Sequence, residues 1–217
     1  MTTKEKDFQE KSFKDCTLKY LEKTFSLEEV ENLSALESWL TTSVEFSDFE
    51  RQNLIHLRGI LNFNVHDWNE HELDSRFIGP IFSLVDYSSK KYNHFAQRDL
   101  EGTVDGIRLF GKPDGIIASG RREPEKPFFA FQEYKRQLDP TGDPAGQALA
   151  AMLVGQSMDE QSKSLYGCYV IGNDWRFMVL QDKEYAISHD FSAITDEIFD
   201  ICRILKALKE IVIELTA

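Results

Sequence analysis

Apolar residues recur at helical spacing through the first third of the chain. Ser26-Leu27-Glu28-Glu29 has the form of a capping box, and Leu33, Leu36, Trp39 and Leu40 follow it, which predicts a helix running to Leu40. Ser47 precedes Phe49, Leu54, Leu57 and Leu61 and predicts a second helix. Asp67-Trp68-Asn69-Glu70 opens a third, with Leu73, Phe77, Ile81, Leu84 and Val85 on one face. Pro80 lies inside that pattern and has no N–H to give, so the helix is expected to kink or split there. After Tyr92 the period changes. Short strands are expected at His94–Glu101, Thr103–Phe110, Pro113–Ser119 and Phe128–Lys135, with the polar Arg121–Lys126 as a hairpin connection. Gly142-Asp143-Pro144 then opens a helix, Asp143 as N-cap and Pro144 in the first turn. Two strands follow, Ser164–Ile171 and Trp175–Leu180, joined by a turn at Gly172-Asn173-Asp174. The last element is a helix from Ile194 to Leu215. Its Ile194, Ile198, Ile201, Leu205, Leu208, Val212 and Leu215 alternate steps of four and three, a heptad seam. Phe199, Ile204 and Ile211 widen that seam, which favours packing within the chain over pairing two copies.

Composition fits a folded domain: 217 residues, 41% hydrophobic and 29% charged, with 16 Phe and 3 Trp to bury. The formal charge of −12 changes the picture more. Phosphate contacts dominate nucleic-acid affinity, so so acidic a chain is not expected to grip a duplex tightly by itself. A local basic patch, a bound cation or a basic partner would be needed. The three cysteines, Cys16, Cys168 and Cys202, have no paired spacing and read as free thiols. The opening MTTKEKDFQEK has no apolar leader and no run reaches membrane length, so the expected compartment is cytoplasmic.

Candidate chemistry comes from Phe128–Lys135, FFAFQEYK. Alternate residues of a strand share a face, so Phe129, Phe131, Glu133 and Lys135 are expected on one side. An isolated Glu-x-Lys is usually an ordinary ion pair. Upstream, however, Pro113-Asp114 precedes the apolar Ile116-Ile117-Ala118, a buried strand in prospect. In an antiparallel pair the start of one strand lies beside the end of the next. Asp114, Glu133 and Lys135 are then expected to converge although Asp114 and Glu133 are nineteen positions apart.

Pro113-Asp114 and Glu133-Tyr134-Lys135, in a helix–strand–strand–strand–helix–strand order, resemble the PD-(D/E)XK nucleases of the restriction-endonuclease-like superfamily, over roughly residues 66–180. The resemblance implies an α/β fold with an αβββαβ core, a mixed central sheet flanked by helices. It implies Mg²⁺ or Mn²⁺ held by Asp114 and Glu133, with Lys135 orienting a water or stabilising charge on phosphorus. It also implies two further positions: Glu72, as the extra acid on the helix before the sheet, with Glu70 the competing choice, and Gln147 on the helix after the Glu-x-Lys strand. The expected activity is phosphodiester hydrolysis of nucleic acid, DNA first. The alternative is a weak or inactive nuclease-fold module serving as a binding subunit.

The expected organisation is a helical extension over 1–65, the nuclease-like core over 66–190, and a terminal helix over 191–217 packed on the extension or on a second copy. Partners would be nucleic acid, a basic protein or a homodimer mate, and no membrane. Asp105-Gly106 repeats the Asp-Gly of Asp114-Gly115 and makes Asp105 a second candidate acid. His56, His66, His71, His94 and His189 lack metal spacing and are expected at the surface or in caps. No phosphate-binding GxxxxGK[ST] loop and no nucleophile elbow is present. Arg121-Arg122, Lys126, Lys135-Arg136 and Lys90-Lys91 are candidate phosphate contacts or plain solvated cations.

Overall fold

A computed structural model describes residues 9–138, 140–159 and 164–216. The first eight positions, where the leader would lie, fall outside them. In chain order, β1 (Glu10–Ser12) and a 3₁₀ turn (Phe13–Asp15) lead into α1 (Leu18–Phe25), then β2 (Glu28–Glu29), α2 (Ser34–Thr41) and α3 (Asp48–Asn64). Next come α4 (Glu70–Leu73), a π-helical turn (Asp74–Ile78) and α5 (Gly79–Val85). Strands β3 (Tyr92–Ala96), β4 (Leu100–Val104), β5 (Ile107–Gly111), β6 (Gly115–Ser119) and β7 (Glu125–Lys135) precede α6 (Pro144–Met158). The chain ends with β8 (Leu165–Ile171), β9 (Asp174–Gln181), β10 (Glu184–Ile187), β11 (Phe191–Ser192) and α7 (Ile198–Leu215).

The main sheet is mixed and runs β2-β10-β9-β8-β7-β6-β3, with β11 beside β9. Strand β7 is parallel to β8 through the α6 crossover, while β6 is antiparallel to both β3 and β7. Residues from α2, α3, α5 and α7 build the core on one face of this sheet. The other face is covered by α6, over which α1 and the small sheet β1-β5-β4 close. The fold is therefore mixed α/β, a mixed sheet flanked by helices.

Local chemistry explains several elements. Ser47 and Glu50 close a reciprocal capping box at α3. Asp143 caps α6 through Gly146 N at 3.0 Å, and its other oxygen accepts from Leu18 N at 2.9 Å, so one carboxylate ties the starts of α6 and α1. Every residue of α6 from Pro144 to Gly155 is buried. A helix apolar all round belongs inside, and here it is enclosed between the sheet and α1.

Other expectations are corrected. Ser26 does not start a helix; it ends α1 in the left-handed region at φ 54°, and Glu28–Glu29 pair with β10. Residues 9–65 therefore supply strands to both sheets and are not helical throughout. The two strands expected over 94–110 are three. The breaks fall at Gln97–Asp99 and at Asp105-Gly106, whose φ values of 47° and 85° make the hairpin turn of β4 and β5. The helix with Pro80 is interrupted by the wide π turn just before it. The final helix begins at Ile198, four residues later than expected. Its Ile198, Ile201, Leu205, Leu208 and Val212 are all buried inside the chain, so that seam is not free to join two copies. Among the described residues, no helix is long and apolar enough to cross a membrane.

Candidate metal centre

The site forms where β6 begins and β7 ends. Gly115 is in register with Gln132, and the residue before it is pinned on three sides. Asp114 N donates to Gln132 O at 3.1 Å, Gln97 N donates to Asp114 O at 3.1 Å, and Tyr134 N donates to Asp114 Oδ2 at 2.7 Å. The side chain is thus held against β7 by a main-chain group, with Oδ1 left for another partner.

Strand β7 does not alternate evenly. Ala118 of β6 faces Phe128 while Ile117 faces Ala130, so Phe129 is an extra residue on β7, a bulge. The expected common face of Phe129 with Glu133 is therefore wrong. Phe129 packs into the core with α7, while Phe128 and Phe131 stack at 5.9 Å on the α6 side. Beyond the bulge alternation resumes, and Phe131, Glu133 and Lys135 share the α6 side. Glu133 and Lys135 are each 7% exposed. Lys135 Nζ donates to Glu133 Oε1 at 2.6 Å and stands 4.0 Å from Glu70 Oε1.

The structure thus brings Asp114, Glu133 and Lys135 together. It does not bring Glu72. That carboxylate accepts from Asn69 N at 3.1 Å while Glu72 N donates to Asn69 Oδ1 at 2.9 Å, a capping box, and its other oxygen stands 3.9 Å from Arg76. Glu70, the competing choice, is the acid facing Lys135, and Asp74 follows one turn later. Gln147 is buried in the first turns of α6 with its amide nitrogen against Gly142; among the described residues no hydrogen bond joins it to the carboxylates. Asp105, the other candidate acid, sits on the β4–β5 turn and meets Lys183 at 3.1 Å.

Charge is unevenly balanced. Burial pushes the Glu133 carboxyl up to about 7, helped by the negative charge of Asp114 and opposed by Lys135. Burial also raises Asp114, against the hydrogen bond from Tyr134. Burial alone would depress Lys135, but the carboxylates of Glu133, Glu70 and Asp114 together outweigh it and the amine is held above its ordinary value. One ammonium therefore serves three carboxyls, Glu133, Glu70 and Asp114, and a cation is the group that would relieve the imbalance. The donors are hard oxygens, which suits Mg²⁺ or Mn²⁺. Among the described residues no three or more His, Cys, Asp or Glu side chains form a ready cage. Two carboxylates remain, and Mg²⁺ is commonly held that way, with waters and substrate phosphate completing its shell.

Behind the carboxylates lies a pair that sequence reasoning missed. His94, expected at the surface or in a cap, is half-buried, stacked on Phe82 at 4.7 Å, with Nε2 2.9 Å from Gln132 Oε1. Burial holds the imidazole below its ordinary value, against the hydrogen bond with Gln132. The pair crosses directly over Gly115, where a Cβ would stand 1.8 Å from Gln132 Oε1 and 2.6 Å from His94 Nε2. Nothing local in the sequence signals it, because the two residues meet only once β3, β6 and β7 align. The chain matches no protein-family model, and no curated protein matches it.

Proposed function

We propose that this chain is a metal-dependent phosphodiesterase acting on nucleic acid, with Asp114 and Glu133 as metal ligands and Lys135 as the charged catalytic group. The observation that carries the reading is a carboxylate pair, Glu133 buried and Asp114 half-buried, with too little positive charge beside it, at the junction of two antiparallel strands. The resemblance to PD-(D/E)XK nucleases agrees with it. The chain order α5, β3, β6, β7, α6, β8 supports it when the β4–β5 hairpin, which belongs to the small sheet, is set aside. A bound Mg²⁺ or Mn²⁺ would supply Lewis acidity and acidify a water. Asp114 would present Oδ1 with its other oxygen fixed by Tyr134 N. Glu133 would present its carboxylate once ionised, so activity rises with pH through the neutral range. Lys135 stays protonated there and donates from Nζ to a phosphoryl oxygen or to the attacking water.

The net charge of −12 favours a second reading, a binding subunit of the same fold that does not cleave. Incubation of single- and double-stranded DNA and of RNA with Mg²⁺, Mn²⁺ or EDTA separates the two. The nuclease reading expects cleavage that EDTA abolishes and that Asp114→Asn and Lys135→Ala each reduce by at least about a hundredfold. Equal cleavage by wild type and Lys135→Ala would falsify the role of that residue. No cleavage of any substrate, with Mn²⁺ still stabilising the protein, would select the binding subunit.

A further inference from the structure

The register of the main sheet sets a row of side chains beside the carboxylates. Glu133 of β7 is directly opposite Tyr169 of β8, and Tyr169 is directly opposite Arg176 of β9. One step further along, Lys135, Ile171 and Asp174 form the same kind of row. Register partners point to one face, and this is the face that α6 covers. The start of α6 does not cover all of it. A cleft of about 300 Å³ remains between Asp143–Ala145 above and Tyr169, Ile171 and Arg176 below. Adjacent strands stand about 4.8 Å apart, so Arg176 lies about 10 Å from Glu133 along the row. A few nucleotides of a strand span that distance.

Arg176 is built to be available. Its Nη1 donates to Tyr169 Oη at 3.3 Å, which fixes the guanidinium over a phenol that is itself buried. Its ion pair with Asp190 is loose, 3.6 Å, between side chains 45% and 58% exposed. The remaining guanidinium donors suit a phosphate oxygen pair. Three aspartates line the same cleft, and they argue against an anion unless each is occupied. Asp143 spends both oxygens on Leu18 N and Gly146 N. Asp174 accepts from the Asn173 amide. Asp190 is the exposed carboxylate of the cleft, and among the described residues its ion pair is the one with Arg176.

The geometry points to this cleft as a subsite for the nucleic-acid backbone, in which Arg176 exchanges Asp190 for a substrate phosphate a few nucleotides from the scissile bond. The inference rests on the nuclease reading and deepens it. Arg176 binds and positions; it takes no part in bond breaking.

The test uses the full chain and a fluorescent single-stranded oligodeoxynucleotide in EDTA, titrated at several salt concentrations. Arg176→Ala is expected to weaken binding about tenfold at low salt and to reduce the slope of log K against log salt by about 0.7, one phosphate contact on a single strand. Arg176→Lys restores part of the slope. Asp190→Asn, which removes the competing anion, tightens binding. With Mn²⁺, Arg176→Ala raises KM more than it lowers kcat. If wild type binds and cleaves while Arg176→Ala keeps its affinity and slope, the subsite is wrong and the nuclease reading stands. Weakening by Asp190→Asn as by Arg176→Ala makes the pair a structural ion pair and overturns the subsite. If wild type neither binds nor cleaves, both fall.

Discussion

Glu133→Gln is expected to make the metal-free protein more stable at pH 8 while abolishing its response to Mn²⁺. The wild-type carboxyl moves from an ordinary 4.5 to about 7 in the folded state. Its folded value lies above its unfolded value, so its contribution is intact below about pH 4.5 and is lost as pH rises to about 7, with no further loss above. At about 1.4 kcal/mol per tenfold change in acidity, the full penalty is about 3 kcal/mol. The opposing effect is loss of the hydrogen bond that Lys135 gives Glu133. Breaking a buried pair is costly when it leaves a bare charge. Here Glu70 and Asp114 still face the ammonium, so the relief wins. The assay is urea unfolding in EDTA at pH 5 and pH 8. Wild type should lose about 2 kcal/mol more than Glu133→Gln between the two, other titrating groups cancelling in the comparison. Mn²⁺ at a hundred times its dissociation constant should return about 2.7 kcal/mol to wild type at pH 8 and nothing to the variant. Identical pH dependence in both proteins would refute the argument, because Glu133 would then titrate as an ordinary carboxyl with no need of a cation.

Two further outcomes separate structure from chemistry. Glu72→Ala removes half of a capping box and should cost about 0.5–1 kcal/mol in urea unfolding while leaving the Mn²⁺ response unchanged; Glu70→Gln should do the reverse, weakening that response at nearly constant stability. Gly115→Ala drives a methyl into the His94–Gln132 hydrogen bond, and one of those two groups must give way. A loss of about 1–3 kcal/mol in the same assay is expected, and unchanged stability would mean the pair can move aside freely.

Legibility of the fold followed the range of the interaction that makes each element. Helix starts with local chemistry could be read: Ser47 with Glu50, and Asp143 with Gly146 N, complete their hydrogen bonds within one turn. Ser26 carried the same letters yet ends a helix, because Glu28–Glu29 pair with a strand more than 150 positions away. Strands of two or three residues, such as β1, β2 and β11, have too little pattern to see and exist only where a longer strand offers its edge. Asp105-Gly106 was the exception that could have been found. That dipeptide is a strong hairpin signal, and its left-handed φ values are what an Asp-Gly turn adopts.

At the site the same distinction separates the residues found from those missed. Asp114, Glu133 and Lys135 follow from alternation and hairpin order, both of which survive the bulge because it lies upstream at Phe129. Choosing between Glu70 and Glu72 needed a hydrogen-bond count. The N-cap is Asn69, which makes Glu72 the third residue of the helix, and an acid at that position reaches back to the N-cap N–H. Glu70, the first helical residue, has no such local partner and can turn outward. One turn later Asp74 lies on the same side, half-buried and raised by that burial, close enough to add its charge to Asp114. The spare acids of α4 and the π turn therefore deepen the negative potential over the carboxylate pair. That potential draws a cation in; it also repels phosphate until the cation arrives. The physical expectation is ordered binding, metal before nucleic acid, at the catalytic pair itself. Stopped-flow mixing checks this: preincubation with Mn²⁺ should shorten the lag before cleavage, and preincubation with DNA alone should not.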